Sequence, residues 1–154
     1  MNGMNDDVHS STEHIEEIDL SPIDTLFEAV SSGDLNGLQS IIPMCDPHWL
    51  DEAFAFAVKH DFPNGVESAQ LLIEFADKRM FEGYALMTAA LHSTPKMVDF
   101  LFDKCNPKVA LVNLKREHPN NPDIWGYLES KIQAQHIATS IENNAPQLCG
   151  VRKI

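Results

Sequence analysis

From Ser21 onward, apolar residues recur at intervals of three and four. Ile23, Leu26, Phe27 and Val30 open the series with i, i+3, i+4, i+7 spacing, which gathers them on one face of an α-helix. After a break at Gly33-Asp34, Leu35, Leu38, Ile41 and Ile42 repeat the pattern. Leu50, Ala53, Phe54, Ala57 and Val58 follow, then Val66, Ala69, Leu72 and Ile73. Tyr84, Met87, Ala90 and Leu91 continue it, and Met97, Val98, Leu101 and Phe102 come next. A weaker pair closes the series with Val109, Val112 and Leu114, then Ile124, Trp125, Leu128 and Ile132. The pattern predicts eight short amphipathic helices and no strand.

Proline placement sets the boundaries. Ser21-Pro22, Asp46-Pro47, Thr94-Pro95, Asn106-Pro107 and Asn121-Pro122 each put a capping residue before proline at the start of an apolar-periodic segment. A side-chain oxygen at the N-cap accepts from first-turn amides. Proline at N1 loses nothing, because its missing N–H would have had no helical partner. The helices also recur as pairs. Ala29, Ala57 and Ala89 lie 28 and 32 residues apart near the ends of successive first helices. Leu35, Val66 and Pro95 hold matching positions in the second helices, and Pro95–Leu101 resembles Pro122–Leu128 in residue type. A period near 30 residues with two helices per unit predicts an all-α, solenoid-like stack of antiparallel helix pairs.

The expected organisation is a disordered acidic segment over 1–20, a helical-repeat domain over 21–138 and a cap or tail over 139–154. The first segment has almost nothing to bury. Its stretch from His14 to Leu20, H-I-E-E-I-D-L, alternates apolar and acidic residues as short linear binding motifs do. A fraying lead-in to the first helix is the other reading of that stretch.

Composition places the chain among ordinary folded domains: 154 residues, 44% hydrophobic and 22% charged. Charge adds a polarity along the chain. Twelve acids precede Lys59, the first basic residue, and the remaining 11 acids balance all 11 lysines and arginines. The whole net charge of −12 therefore belongs to the first third. An acidic block repels phosphate backbones, so nucleic acid is not an expected partner, whereas a protein with a basic surface is. No apolar run reaches the roughly 20 residues that cross a bilayer. The first twenty residues lack the basic start and apolar middle of a secretory signal. Those two absences point to a cytoplasmic protein, or to one delivered into a host cell by another route. Cys45, Cys105 and Cys149 are odd in number and far apart, as expected of reduced, partly buried thiols.

The segments Leu26–Ile42, Ala55–Ile73 and Ala85–Phe102 resemble ankyrin repeats. Ala89-Ala90 followed by M-V-D-F-L-F-D at Met97–Asp103 matches best. L-F-E-A-V-S-S-G-D-L at Leu26–Leu35 comes next, and Ser21-Pro22-Ile23 resembles the T-P-L opening of a repeat. The resemblance covers residues 21–103, with a fourth unit extending it to 133. The Asp-Gly hairpin turn is missing and the link from Pro43 to Pro47 is short, so the fingers are expected to be reduced. A generic stack of αα-hairpins is the alternative architecture.

No catalytic signature is visible: no glycine-rich phosphate loop, no G-x-S-x-G, no H-E-x-x-H. His9 and His14 are spaced i, i+5 and do not converge on one helix face, so no metal and no cofactor are expected. Cys105 and His118 are the one pair with nucleophile-and-base character, and nothing in the sequence supplies a third, orienting group.

The resemblance implies that first helices and the loops before them line a concave binding face. Trp49, Phe54, His60, Phe81, Tyr84, Met87 and His92 are the candidates there, with Lys59 beside them and Asp46, Asp51 and Glu52 as the acidic contribution. Phe81, closing the K-R-M-F loop, is expected to be the most exposed aromatic. Phe54, Tyr84, Met87 and Trp49 also suit a core at their helical spacing. Trp125 is expected to pack into the last hairpin. The resemblance further implies a non-enzymatic protein-interaction module with no small-molecule substrate, of the kind that bacterial or viral proteins direct at host proteins. The alternatives are an immunity or adaptor protein neutralising a basic partner, a self-assembling structural subunit and, last, a small enzyme using Cys105 and His118.

Overall fold

A computed structural model describes residues 21–144. The expectations for residues 1–20, for Cys149 and for the rest of 145–154 lie outside the described residues. Within them the chain is all-α. Its helices are α1 (Pro22–Ser32), α2 (Leu35–Ile41), α3 (Pro47–Lys59), α4 (Gly65–Leu72), α5 (Tyr84–His92), α6 (Pro95–Phe102), α7 (Pro107–Glu117) and α8 (Pro122–Asn144). Two 3₁₀ turns, Ile42–Met44 and Lys78–Phe81, join α2 to α3 and lead into α5. No strand forms among the described residues.

The X-Pro dipeptides mark the starts as expected, because α1, α3, α6, α7 and α8 each begin on the proline. Ser21, Thr94 and Asn106 accept from the amides of Asp24, Met97 and Val109. Asp46 precedes Pro47 without making a side-chain cap bond. The last helix, α8, runs past residue 138 to Asn144.

Consecutive helices pack in pairs, α1 with α2, α3 with α4, α5 with α6 and α7 with α8. Odd helices also touch in the succession α1–α3–α5–α7, and even helices in the succession α2–α4–α6. α8 rests on α7 and α5, and it reaches α6 through side chains. There Tyr127 Oη donates to Asp99 at 2.7 Å, and Lys131 Nζ lies 2.8 Å from the same carboxylate.

Each helix contributes one large side chain with no exposed surface: Leu26, Leu38, Phe54, Leu72, Leu86, Leu101, Leu114 and Leu128, in chain order. Burying such a side chain stabilises the fold by about 1.5–3 kcal/mol. Ala29, Ala57 and Ala89, the recurring small residues, are buried as well. With no side chain beyond Cβ at these positions, neighbouring helices can pack closely.

Two predicted faces are displaced. In α5 the buried residues are Ala85, Leu86 and Ala89, while Tyr84 is 54% exposed. Nearly every residue of α5 is apolar and the helix is surrounded by α3, α6, α7 and α8, so periodicity does not select a face. In α7 the buried residues are Ala110 and Leu114, and Val112 is 64% exposed. Small Ala110 fits where the chain is closest: a methyl group on Gly83 would meet the Ala110 amide nitrogen at 2.9 Å.

Ser68 on α4 is fully buried, and among the described residues its hydroxyl has no hydrogen-bond partner. An unsatisfied buried hydroxyl costs about 1–3 kcal/mol, whereas an apolar replacement of similar shape carries no such cost. Ser68→Ala is therefore expected to raise the urea midpoint by the equivalent of about 1 kcal/mol. A lowered midpoint would show that the hydroxyl is satisfied in solution.

Candidate functional site

The long α3 places residues on two sides of the chain. Leu50, Ala53, Phe54, Ala57 and Val58 point into the core. Glu52, Ala55, Phe56 and Lys59 turn the other way. They meet Phe27 of α1, Met80 of the second 3₁₀ turn, and Tyr84 and Thr88 of α5 around an open groove of about 230 Å³, with His60 at its rim. Three successive odd helices thus share one surface.

Aromatic rings organise this groove. The Phe56 ring lies 5.3 Å from Phe27 at 69°, an edge-to-face arrangement. It also lies 4.9 Å from His60 and 4.8 Å from Phe62, and those two rings are 5.2 Å apart. Such pairs contribute about 0.5–1.5 kcal/mol each beyond area burial. The connection from Lys59 to Gly65 is held against the first helix pair: Asn64 Nδ2 donates to the Gly33 carbonyl at 2.9 Å. Phe62 is positioned by that anchor.

Of the residues picked from the sequence, Glu52, Lys59, His60 and Tyr84 line the groove together. Asp46 is exposed at the start of α3, and Trp49 is half-buried with its ring 5.2 Å from His48. Asp51 has a different task, since its Oδ1 accepts the Asp77 backbone N–H at 2.7 Å and ties α3 to the turn before α5. Next to it, Arg79 lies 2.6 Å from the Asp77 carboxylate and holds that carboxyl below its usual range. His92 is exposed at the end of α5 and is not among the groove-lining residues.

Phe81 differs from expectation: it is half-buried rather than exposed, with its ring 6.1 Å from Phe54. The 3₁₀ turn Lys78–Phe81 folds it inward, and its carbonyl accepts the Asn106 N–H at 3.0 Å, which fixes the turn beside α7. Sequence reasoning missed Phe56, Phe27, Met80 and Thr88 as groove residues. Phe56 did carry a signal, being a large aromatic outside the buried register of α3.

Cys105 and His118 lie apart from this groove. Burial pushes the Cys105 thiol up to about 11, against a small opposing effect of a backbone hydrogen bond with Leu86. That is the reverse of nucleophile activation. His118 uses its carbonyl to accept the Trp125 indole N–H at 3.2 Å, and Lys115 Nζ sits 4.6 Å over the Trp125 ring. Cys45 and Cys105 are both free and half-buried. Among the described residues, no group of three His, Cys, Asp or Glu side chains is placed to hold a metal ion, and no helix is long and apolar enough to cross a membrane.

At pH 8 the Cys105 thiolate fraction is about a hundredfold below that of a thiol at the ordinary 9.0, so iodoacetamide should label it at least that much more slowly than free cysteine. Because the folded value lies above the unfolded one, the stability from the neutral buried thiol is complete below about pH 9. It is lost as pH rises through about 11. Rapid native-state labelling of Cys105, followed by mass spectrometry, would contradict this burial.

Searches of protein-family models, curated proteins and solved structures found no match to the chain.

Proposed function

We propose that the chain is a non-enzymatic protein-interaction module. In this reading it is a solenoid-like stack of antiparallel helix pairs, similar to diverged ankyrin repeats with reduced fingers, and it holds a partner protein in the groove across α1, α3 and α5. One observation carries the reading: Phe27, Phe56 and Tyr84, from three successive odd helices, line one open surface with Glu52 and His60. A groove assembled from successive units is how a helical solenoid recognises protein surface. Aromatic side chains supply most of the energy at such interfaces.

Charge indicates the kind of partner. Glu52 lies in the groove, Asp46 is exposed at the start of the same helix, and both belong to the acidic first third. A partner presenting an apolar anchor with lysines or arginines around it complements that surface. In the setting that the resemblance implies, the partner is a host protein met by a bacterial or viral one.

The test is retention of a partner captured from the native cell, and from a host cell where one is known. Tyr84→Ala is expected to weaken retention about tenfold, in the range of a truncated interface anchor. Glu52→Lys is expected to weaken it and to flatten its salt dependence. Asp51→Asn serves as a contrast, because Asp51 acts within the fold and its loss should register in stability first. Undiminished retention by both groove variants would remove this surface from the reading.

A further inference from the structure

A second surface lies on the other row of helices. Leu35 and Gln39 of α2 with Ile42 and Pro43 of the turn after it face Glu67, Gln70 and Leu71 of α4, with Glu74 and Phe75 in the turn just beyond. Together they enclose an open trough of about 510 Å³. Its floor is apolar and Phe75 is 49% exposed. Its rim is acidic and unneutralised: among the described residues neither Glu67 nor Glu74 has an ion-pair partner. From Ser21 to Asp77, Lys59 is the single lysine or arginine against ten acids.

The complement of this trough is on the same chain. Lys108, Val109, Val112 and Arg116 of α7 are all exposed, and at 100° per residue they fall within one face of the helix. Val112 is 64% and Val109 39% exposed. Among the described residues Arg116 pairs only with the exposed Glu117 at 3.6 Å, a pairing of little energetic value. Lys108 and Arg116 stand about 12 Å apart along their helix, and Glu67 and Glu74 both line the trough. Two valines between two cations match an apolar floor between two carboxylates.

We infer that the α7 face of one copy docks into the α2/α4 trough of a second copy, head to tail. The two surfaces belong to different helices, so a contact between them is heterologous and leaves a free trough at one end and a free α7 face at the other. A symmetric pairing of troughs would set Glu67 and Glu74 against their own copies, which repels. The groove across α1, α3 and α5 takes no part, so this inference stands or falls separately from the proposed function.

Sedimentation equilibrium of the full chain, from about 10 μM to about 1 mM at low salt, tests it. The wild type should show a weight-average mass that rises with concentration and falls with added salt. Glu67→Lys with Glu74→Lys, and separately Lys108→Glu with Arg116→Glu, should each give a monomer with an unchanged circular dichroism spectrum. Mixed together, the two variants should associate again, because the α7 face of the first meets the unchanged trough of the second and the two reversed surfaces are themselves of opposite charge. Glu67→Gln with Glu74→Gln, which preserves shape, should also abolish growth. A wild type that stays monomeric, a variant that self-associates like the wild type, or a mixture that stays monomeric would each overturn the head-to-tail contact.

Discussion

Phe54→Ala is expected to lower the stability of the chain by about 3–5 kcal/mol, the cost of emptying a fully buried aromatic site. Phe54 has no exposed surface and lies on α3, which packs against α1, α4 and α5. Its ring faces Phe81, so the truncation also removes the support that keeps the 3₁₀ turn Lys78–Phe81 folded inward. Domain stabilities run to about 5–15 kcal/mol, and a loss of this size removes a third or more of most such totals. In urea unfolding followed by circular dichroism, the midpoint should fall with an unchanged slope, and the thermal midpoint should drop by roughly 10 °C. Phe75→Ala is the control: that ring is 49% exposed, and its loss should cost well under 1 kcal/mol. Equal costs for the two substitutions would mean that α3 is not the centre of the packing.

The contrast between these two phenylalanines shows what the sequence could and could not disclose. Phe54 falls in the i, i+3, i+4 register of its helix, so its burial was legible from spacing alone. The helix starts were legible too, because the proline and capping chemistry is local and each signal occupies two or three residues. The face of α5 was not legible, since a helix apolar on nearly every side gives periodicity no contrast. Phe81 closes the K-R-M-F loop and so looks exposed in the sequence; its inward turn depends on contacts with Phe54 and the Asn106 amide, both distant in sequence. The groove was half legible. Glu52, Lys59, His60 and Tyr84 were among the concave-face candidates, Tyr84 through the resemblance and against its own apolar spacing. Phe27 and Phe56 became groove residues only because α1, α3 and α5 stand side by side, which no single helix records.

Gly33→Val is expected to cost about 3 kcal/mol and to loosen one wall of the groove, although Gly33 does not line it. Gly33 ends α1 at φ 73° and ψ 25°, a left-handed conformation that a β-branched residue adopts only under strain. Any side chain there also collides with the Pro63 carbonyl oxygen, which sits directly over the glycine. The connection carrying Pro63 would have to lift. It is held down by Asn64 Nδ2 donating to the Gly33 carbonyl at 2.9 Å, and Asn64 itself stands at φ 53°. Phe62 rides on the same connection, 4.8 Å from Phe56 and 5.2 Å from His60, so lifting it parts the ring cluster. Asn64→Ala removes the anchoring bond without the collision and should cost about 1 kcal/mol. The double substitution should cost clearly less than the two single losses combined, because valine at 33 has already broken what Asn64 supplies. The His60 ring protons, followed by NMR, should shift in Gly33→Val and much less in a core substitution remote from this turn. Additive losses with unmoved His60 resonances would mean that the first turn does not hold the groove wall in place.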